Sequence, residues 1–143
     1  MEVIPLEGGR FEERPAPKML PSNQVVLLSP RGSLFFAGAA EFEEDLPAAD
    51  EAEHTAVILR LRGREEVGST ILRVIARYAA SLQSRKGKLV LVGVSEPVYQ
   101  QLDKTGILAQ LGQENVYRST SIMGDSAMHA YLDATLWLKQ EKK

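Results

Sequence analysis

The stretch Thr55–Leu82, TAVILRLRGREEVGSTILRVIARYAASL, restricts the fold more than any other part of the chain. Ala56-Val57-Ile58-Leu59 is a short apolar run rich in β-branched residues, which predicts a buried strand. Gly63-Arg64-Glu65-Glu66-Val67-Gly68 is polar and closed at both ends by glycine, which predicts a loop. Beyond it Ile71, Leu72, Val74, Ile75, Tyr78, Ala79 and Leu82 trace one face of a helix, leaving Arg73 and Arg77 on the other. Ser69 or Thr70 stands at the expected N-cap, where a hydroxyl accepts from a backbone N–H of the first turn. The unit is strand, loop, then a helix N-terminus carrying exposed hydroxyls.

The flanking segments supply the rest of an α/β domain. Met1–Ser22 is dense in proline and glycine, which argues against a helix; Glu2-Val3-Ile4 reads as a short edge strand and the remainder as an extended connection. Gln24–Leu28 and Ser33–Phe36 read as strands joined in a hairpin through Pro30-Arg31-Gly32. A short helix is expected from Ala39 to Leu46, with Phe42 and Leu46 inward and Pro47 as its stop. Ala48–His54 reads as a solvated acidic loop. Lys86-Gly87 should end the central helix with a cation and then glycine.

Leu89–Val94 is continuously apolar, as in a strand buried on both faces. Ser95-Glu96-Pro97 is a helix start, and that helix should run to Lys104 and stop at Gly106. Ile107–Leu111 makes one further turn, and Asn115–Tyr117 an edge strand. A last helix begins at Asp125-Ser126 and buries Ala127, Ala130, Tyr131, Ala134, Trp137 and Leu138, with Gln140–Lys143 as a frayed tail. The alternation predicts a mixed, mostly parallel sheet of about four to five strands with helices packed on it. Residues 1–20 are expected to be a connector and 21–143 the domain.

Composition narrows the function classes. The chain has 143 residues, enough for one domain with a real core. A net charge of -2 gives no electrostatic basis for binding nucleic acid. Cysteine is absent, which removes disulfides and thiolate chemistry. No apolar run is long enough to span a bilayer and no signal peptide is visible, so a soluble polypeptide is expected.

Two chemistries fit the central unit. Gly63-x-x-x-x-Gly68-Ser69-Thr70 lies between a strand and a helix, as a P-loop does, but Ser69 stands where that motif needs lysine. That excludes strong nucleotide binding and leaves weak nucleotide or anion binding at the helix N-terminus. Ser69 or Thr70 is also a candidate phosphoacceptor, since phosphate is favoured at such a terminus. Arg60, Arg62 and Arg64 form a basic rim or pair with Glu65 and Glu66. Glu41, Glu43, Glu44 and Asp45 read as solvated carboxylates. His54 and His129 have no second ligand at metal spacing and read as surface or rim residues. No catalytic constellation, cofactor motif or metal site emerges.

GSLFFAGAAEFEEDLP, AVILRLRGREEVGST, RYAASL, KLVLVGVSEPVYQQLDKTGIL, LGQENVY and SIMGDSAMHAYLDATLWL resemble the STAS domain of SulP-type anion transporters. The resemblance runs in consistent order from Pro21 to Leu138. It implies a fold like that of the anti-sigma factor antagonists. It also implies a non-catalytic regulatory or assembly domain on the cytoplasmic face of the bacterial inner membrane, following a sulfate or bicarbonate permease. The implied partners are the transmembrane domain of the same transporter and cytoplasmic regulatory proteins; the proline-rich start suits a connector from a last membrane helix.

In the antagonists this loop ends in Asp-Ser-Ser-Gly or a close variant. Aligned on strand and helix, Gly68 falls on the aspartate, Ser69 on the first hydroxyl, Thr70 on the phosphate acceptor and Ile71 on the glycine. The implied regulatory surface is Arg62, Gly63, Arg64, Gly68, Ser69 and Thr70. The alternative is a free-standing, antagonist-like binding module switched by phosphorylation at Thr70 or Ser69.

Overall fold

Among the described residues, six strands form a mixed sheet in the order β2-β1-β3-β4-β5-β6. The computed structural model describes residues 2–5, 11–15, 18–29, 43, 46–49, 52–61, 67–119 and 125–141. The strands are β1 (Glu2–Pro5), β2 (Phe11–Arg14), β3 (Val25–Leu28), β4 (Ala56–Arg60), β5 (Lys88–Val94) and β6 (Val116–Arg118). The helices are α1 (Ser69–Gln83), α2 (Glu96–Lys104), α3 (Ile107–Leu111) and α4 (Asp125–Glu141). From β3 to β6 every pairing is parallel, whereas β1 pairs antiparallel with both β2 and β3.

Strand alternation divides the core into two layers. Val26, Leu28, Val57, Leu59, Leu89 and Leu91 face α1, α2 and α3, while Leu27, Ala56, Ile58, Val90 and Val92 face α4. Gly93, with φ 67°, lies at a register irregularity between β5 and β6. The next residue, Val94, joins the α1 layer with Leu91, as an inserted residue that shifts the strand's alternation would produce. On the other side α4 presents Ala127, Ala130 and Ala134, small residues that let the helix lie close on the sheet. The Tyr117 hydroxyl donates to Asp133 Oδ2 at 2.6 Å and ties β6 to α4; burial and this carboxylate both push the phenol up.

The consecutive order β3-β4-β5-β6 places the intervening helices α1, α2 and α3 on one face, as right-handed crossovers require. These parallel strands contain no reversal of order of the kind that opens a ligand crevice in doubly wound sheets. Instead the starts of α1 and α2 both lie on the edge where the parallel strands end.

Several expectations are corrected. The Glu2–Pro5 strand forms, but it lies inside the sheet; the outer edge is Phe11–Arg14, expected to be only an extended connection. Both sides of β3 are taken, by β1 and β4, so its antiparallel neighbour comes from the start of the chain. The expected hairpin strand at 33–36, its turn and most of the short helix at 39–46 lie outside the described residues. The Ala48–His54 segment is not merely solvated. Ala49 and Ala52 are buried, Ala48 bridges Met19, and the buried Thr55 hydroxyl that follows donates to Pro21 O at 2.7 Å. The expected cation is not in the last turn of α1, which ends at Gln83 with no basic residue there; Lys86 lies beyond it, in the turn, with φ 64°.

Candidate interaction surface

Gly68 is the N-cap of α1, with φ -64° and ψ 151°, and its carbonyl accepts the Leu72 N–H at 3.0 Å. This corrects the assignment of the cap to Ser69 or Thr70. Those two residues are instead the first two of the helix itself, and both are exposed. Among the described residues no side chain caps this terminus, and no acidic residue stands in its first turn. The first N–H groups of a helix have no intrahelical acceptor and carry the positive end of its dipole. Two hydroxyls therefore stand at an electropositive helix end without being spent on capping it.

The neighbouring start of α2 is built differently. Ser95 is a true N-cap, its hydroxyl accepting the Val98 N–H at 3.4 Å, with Glu96 and Pro97 in the first turn. Beside it the Arg118 guanidinium lies 3.9 Å from the Tyr99 ring centroid, and its Nε is 3.4 Å from Glu96 Oε2. The difference between the two starts is chemical: α2 has a serine cap and a glutamate in its first turn, and among the described residues α1 has neither.

Val67, only 1% exposed, anchors the entry to α1. Its N–H donates to Gln101 Oε1 at 2.9 Å, and its carbonyl accepts from Gln101 Nε2 at 2.9 Å. Thus Ser69 and Thr70 of the expected surface stand exposed on a held backbone, whereas Gly68 is buried beneath them and is corrected to a structural cap. Arg62, Gly63 and Arg64 lie outside the described residues. Arg60 lies half-buried at the end of β4. Ser69, in place of the P-loop lysine, is exposed at the helix start.

The remaining candidates fall elsewhere. Glu43 pairs with Arg77 at 2.7 Å, an exposed ion pair beside a shallow pocket of about 340 Å³. The Tyr78 hydroxyl in that pocket donates to Pro47 O at 2.7 Å, and burial pushes the phenol up. His54 is half-buried, and its ring centroid lies 4.6 Å from that of Trp137. Its Nδ1 lies 3.3 Å from Asn23 Oδ1, whereas Nε2 is buried with no partner among the described residues. His129 is exposed. No group of three or more metal-ligating side chains occurs among the described residues, nor any helix long and apolar enough to cross a membrane.

An α/β sheet with one helix layer on each face, and a hydroxyl-bearing helix start on its carboxyl edge, defines the class. The STAS domain family matches residues 16–121, and the chain belongs to that family. Among solved structures it is similar to a sulfate transporter family protein from Wolinella succinogenes, with 26% identity over 85% of this chain and 93% of that one, and a TM-score of 0.63. It is also similar to the SulP transporter STAS domain from Vibrio cholerae, with 24% identity over 86% and 89% of the two chains and a TM-score of 0.57. The murine Slc26a9 anion transporter in its inward-facing state shares the fold, with 13% identity and a TM-score of 0.64. That match covers 98% of this chain and 22% of the transporter chain. No match emerges among curated proteins.

Proposed function

We propose that the chain is a non-catalytic regulatory or assembly domain of a SulP-type anion transporter, carried on the cytoplasmic face of the membrane. Its working surface is the start of α1, presenting Ser69 and Thr70 above the buried Gly68, together with Arg62, Gly63 and Arg64 of the loop before it. Membership of the STAS family and similarity to sulfate transporter domains support the class of function. The observation that carries the surface is the first turn of α1, uncapped by any side chain among the described residues, whose two exposed hydroxyls are not used as caps. The transmembrane domain of the same protein is the partner, and cytoplasmic regulatory proteins bind the same end.

Thr70 offers a clean test. Aspartate at the second helical position suits the helix dipole and should preserve folding while adding a negative charge to the surface. Asparagine there is a similarly sized residue without the charge. Thr70→Asp is expected to change sulfate or bicarbonate uptake by the full-length protein in membranes, at normal expression and with the domain's Tm within a few degrees of wild type. Thr70→Asn should transport like wild type. If both variants match wild type, the surface does not regulate transport. If aspartate instead alters binding of a separate soluble partner and leaves uptake unchanged, the phosphorylation-switched module is favoured.

A further inference from the structure

The Gln101 side chain treats the backbone of Val67 as a neighbouring strand would. One amide group both accepts from the Val67 N–H and donates to its carbonyl, each at 2.9 Å, across 34 positions of sequence. Val67 is 1% exposed, so water is poorly placed to replace either bond. Gln101 sits on α2 between Val98 and Leu102, both fully buried, which fixes where its amide can point. The residue after Val67 is Gly68, the N-cap of α1. Two more glutamines join α1 to α3 further along. Gln110 Nε2 donates to Ala76 O at 2.9 Å, and Gln83 Nε2 donates to Gln110 O at 2.9 Å. Together these ties hold α1 against α2 and α3 at its entry, middle and end.

We propose that Gln101 is a positioning residue that couples α2 to the start of α1, so that a partner's load on either element reaches the other. The inference rests on reading the start of α1 as a contact surface. Its physical basis is that both backbone polar groups of Val67 are held by a side chain of α2. The backbone from which Ser69 and Thr70 depart is therefore tied to a side chain on a different helix. A displacement of α2 would carry the first turn of α1 with it, and a partner pressing on that turn would work against α2.

Amide hydrogen exchange on the whole chain tests this, because it reads local opening residue by residue. The informative amide is Leu72, whose hydrogen bond goes to Gly68 O and not to Gln101. Gln101→Leu should speed exchange at Val67 and at Leu72 at least tenfold more than at Leu91, in the middle of β5. Gln101→Glu keeps the acceptor for the Val67 N–H but loses the donor, and should give a smaller change in the same direction. This second variant keeps the test valid if leucine lowers global stability. If Leu72 changes no more than Leu91 in both variants, Gln101 merely adds to overall stability and the coupling is refuted. The Thr70 uptake test separates this from the reading beneath it. Loosened Leu72 with uptake indifferent to Thr70→Asp leaves the coupling standing without the contact surface; the opposite pair of results leaves the surface without the coupling.

Discussion

Ile75→Ala should lower the unfolding free energy by about 2–5 kcal/mol, the usual range for removing a large aliphatic side chain from a closed core. Ile75 is fully buried at the centre of the layer between α1 and the sheet, where α1 also contributes Ile71, Leu72, Val74, Ala79 and Leu82. The cost has two parts, the lost transfer of the methyl groups out of water and the cavity that the strands beneath cannot collapse to fill. Arg73→Ala, on the exposed face of the same helix, should move stability by no more than about 0.5 kcal/mol. Urea unfolding with an unchanged m-value is the measurement. Equal midpoints for the two variants would contradict the placement of the helix face.

Gly87→Ala should be the second costly change, by about 1–3 kcal/mol, for a reason that does not involve a left-handed backbone. A Cβ at position 87 would lie 2.5 Å from Thr55 O and 3.1 Å from Leu82 O. Both are backbone atoms already in use. Thr55 O accepts the Lys88 N–H at 3.0 Å, and Leu82 O accepts the Gly87 N–H at 2.8 Å. The end of α1 and the start of β4 therefore have to separate to admit a methyl group. Lys86 is the left-handed residue, with φ 64°. Lys86→Gly should be close to neutral, because relief of about 1 kcal/mol of left-handed strain is offset by glycine's greater freedom in the unfolded chain. Thermal unfolding of the two variants checks the pair. A larger loss from Lys86→Gly than from Gly87→Ala would show that the turn is built the other way round.

The Lys86-Gly87 turn also shows where sequence reading stops. A cation followed by glycine marks the region of the helix end, but α1 finishes at Gln83 and the cation falls in the turn beyond it. The identity of the strained residue depends on how closely β4 approaches, which no local pattern contains. The N-terminus of α1 repeats the lesson. Two hydroxyl residues at a helix start satisfy the capping rule, but the extended backbone of Gly68 makes it the cap and carries both hydroxyls into the helix.

Long elements with strong periodicity were legible because their signals are redundant. The buried strands β4 and β5, the inward face of α1, and the Ser95 start of α2 all follow from apolar spacing and turn residues. Phe11–Arg14 was not legible, because FEER is short, charged and set among punctuators; it becomes a strand only by pairing with β1. Ala49 and Ala52 were hidden by the acidic residues around them. Gln101 did leave a trace. It lies three residues after Val98 and just before Leu102, on the apolar side of α2, where an amide must find buried partners. Which partner it would find, 34 residues earlier in the chain, required the fold.

The absence of native cysteine from this sequence permits the most direct test of the central claim, that the start of α1 is covered in the assembled transporter. Thr70→Cys, with Ala109→Cys as an exposed reference on α3, would be probed with a maleimide in the isolated domain and in the membrane-embedded full-length protein, any cysteines of the membrane part having been replaced. Both positions should react quickly in the isolated domain. In the full-length protein position 70 should be protected at least tenfold relative to position 109. Equal labelling of the two positions in both settings would contradict the account.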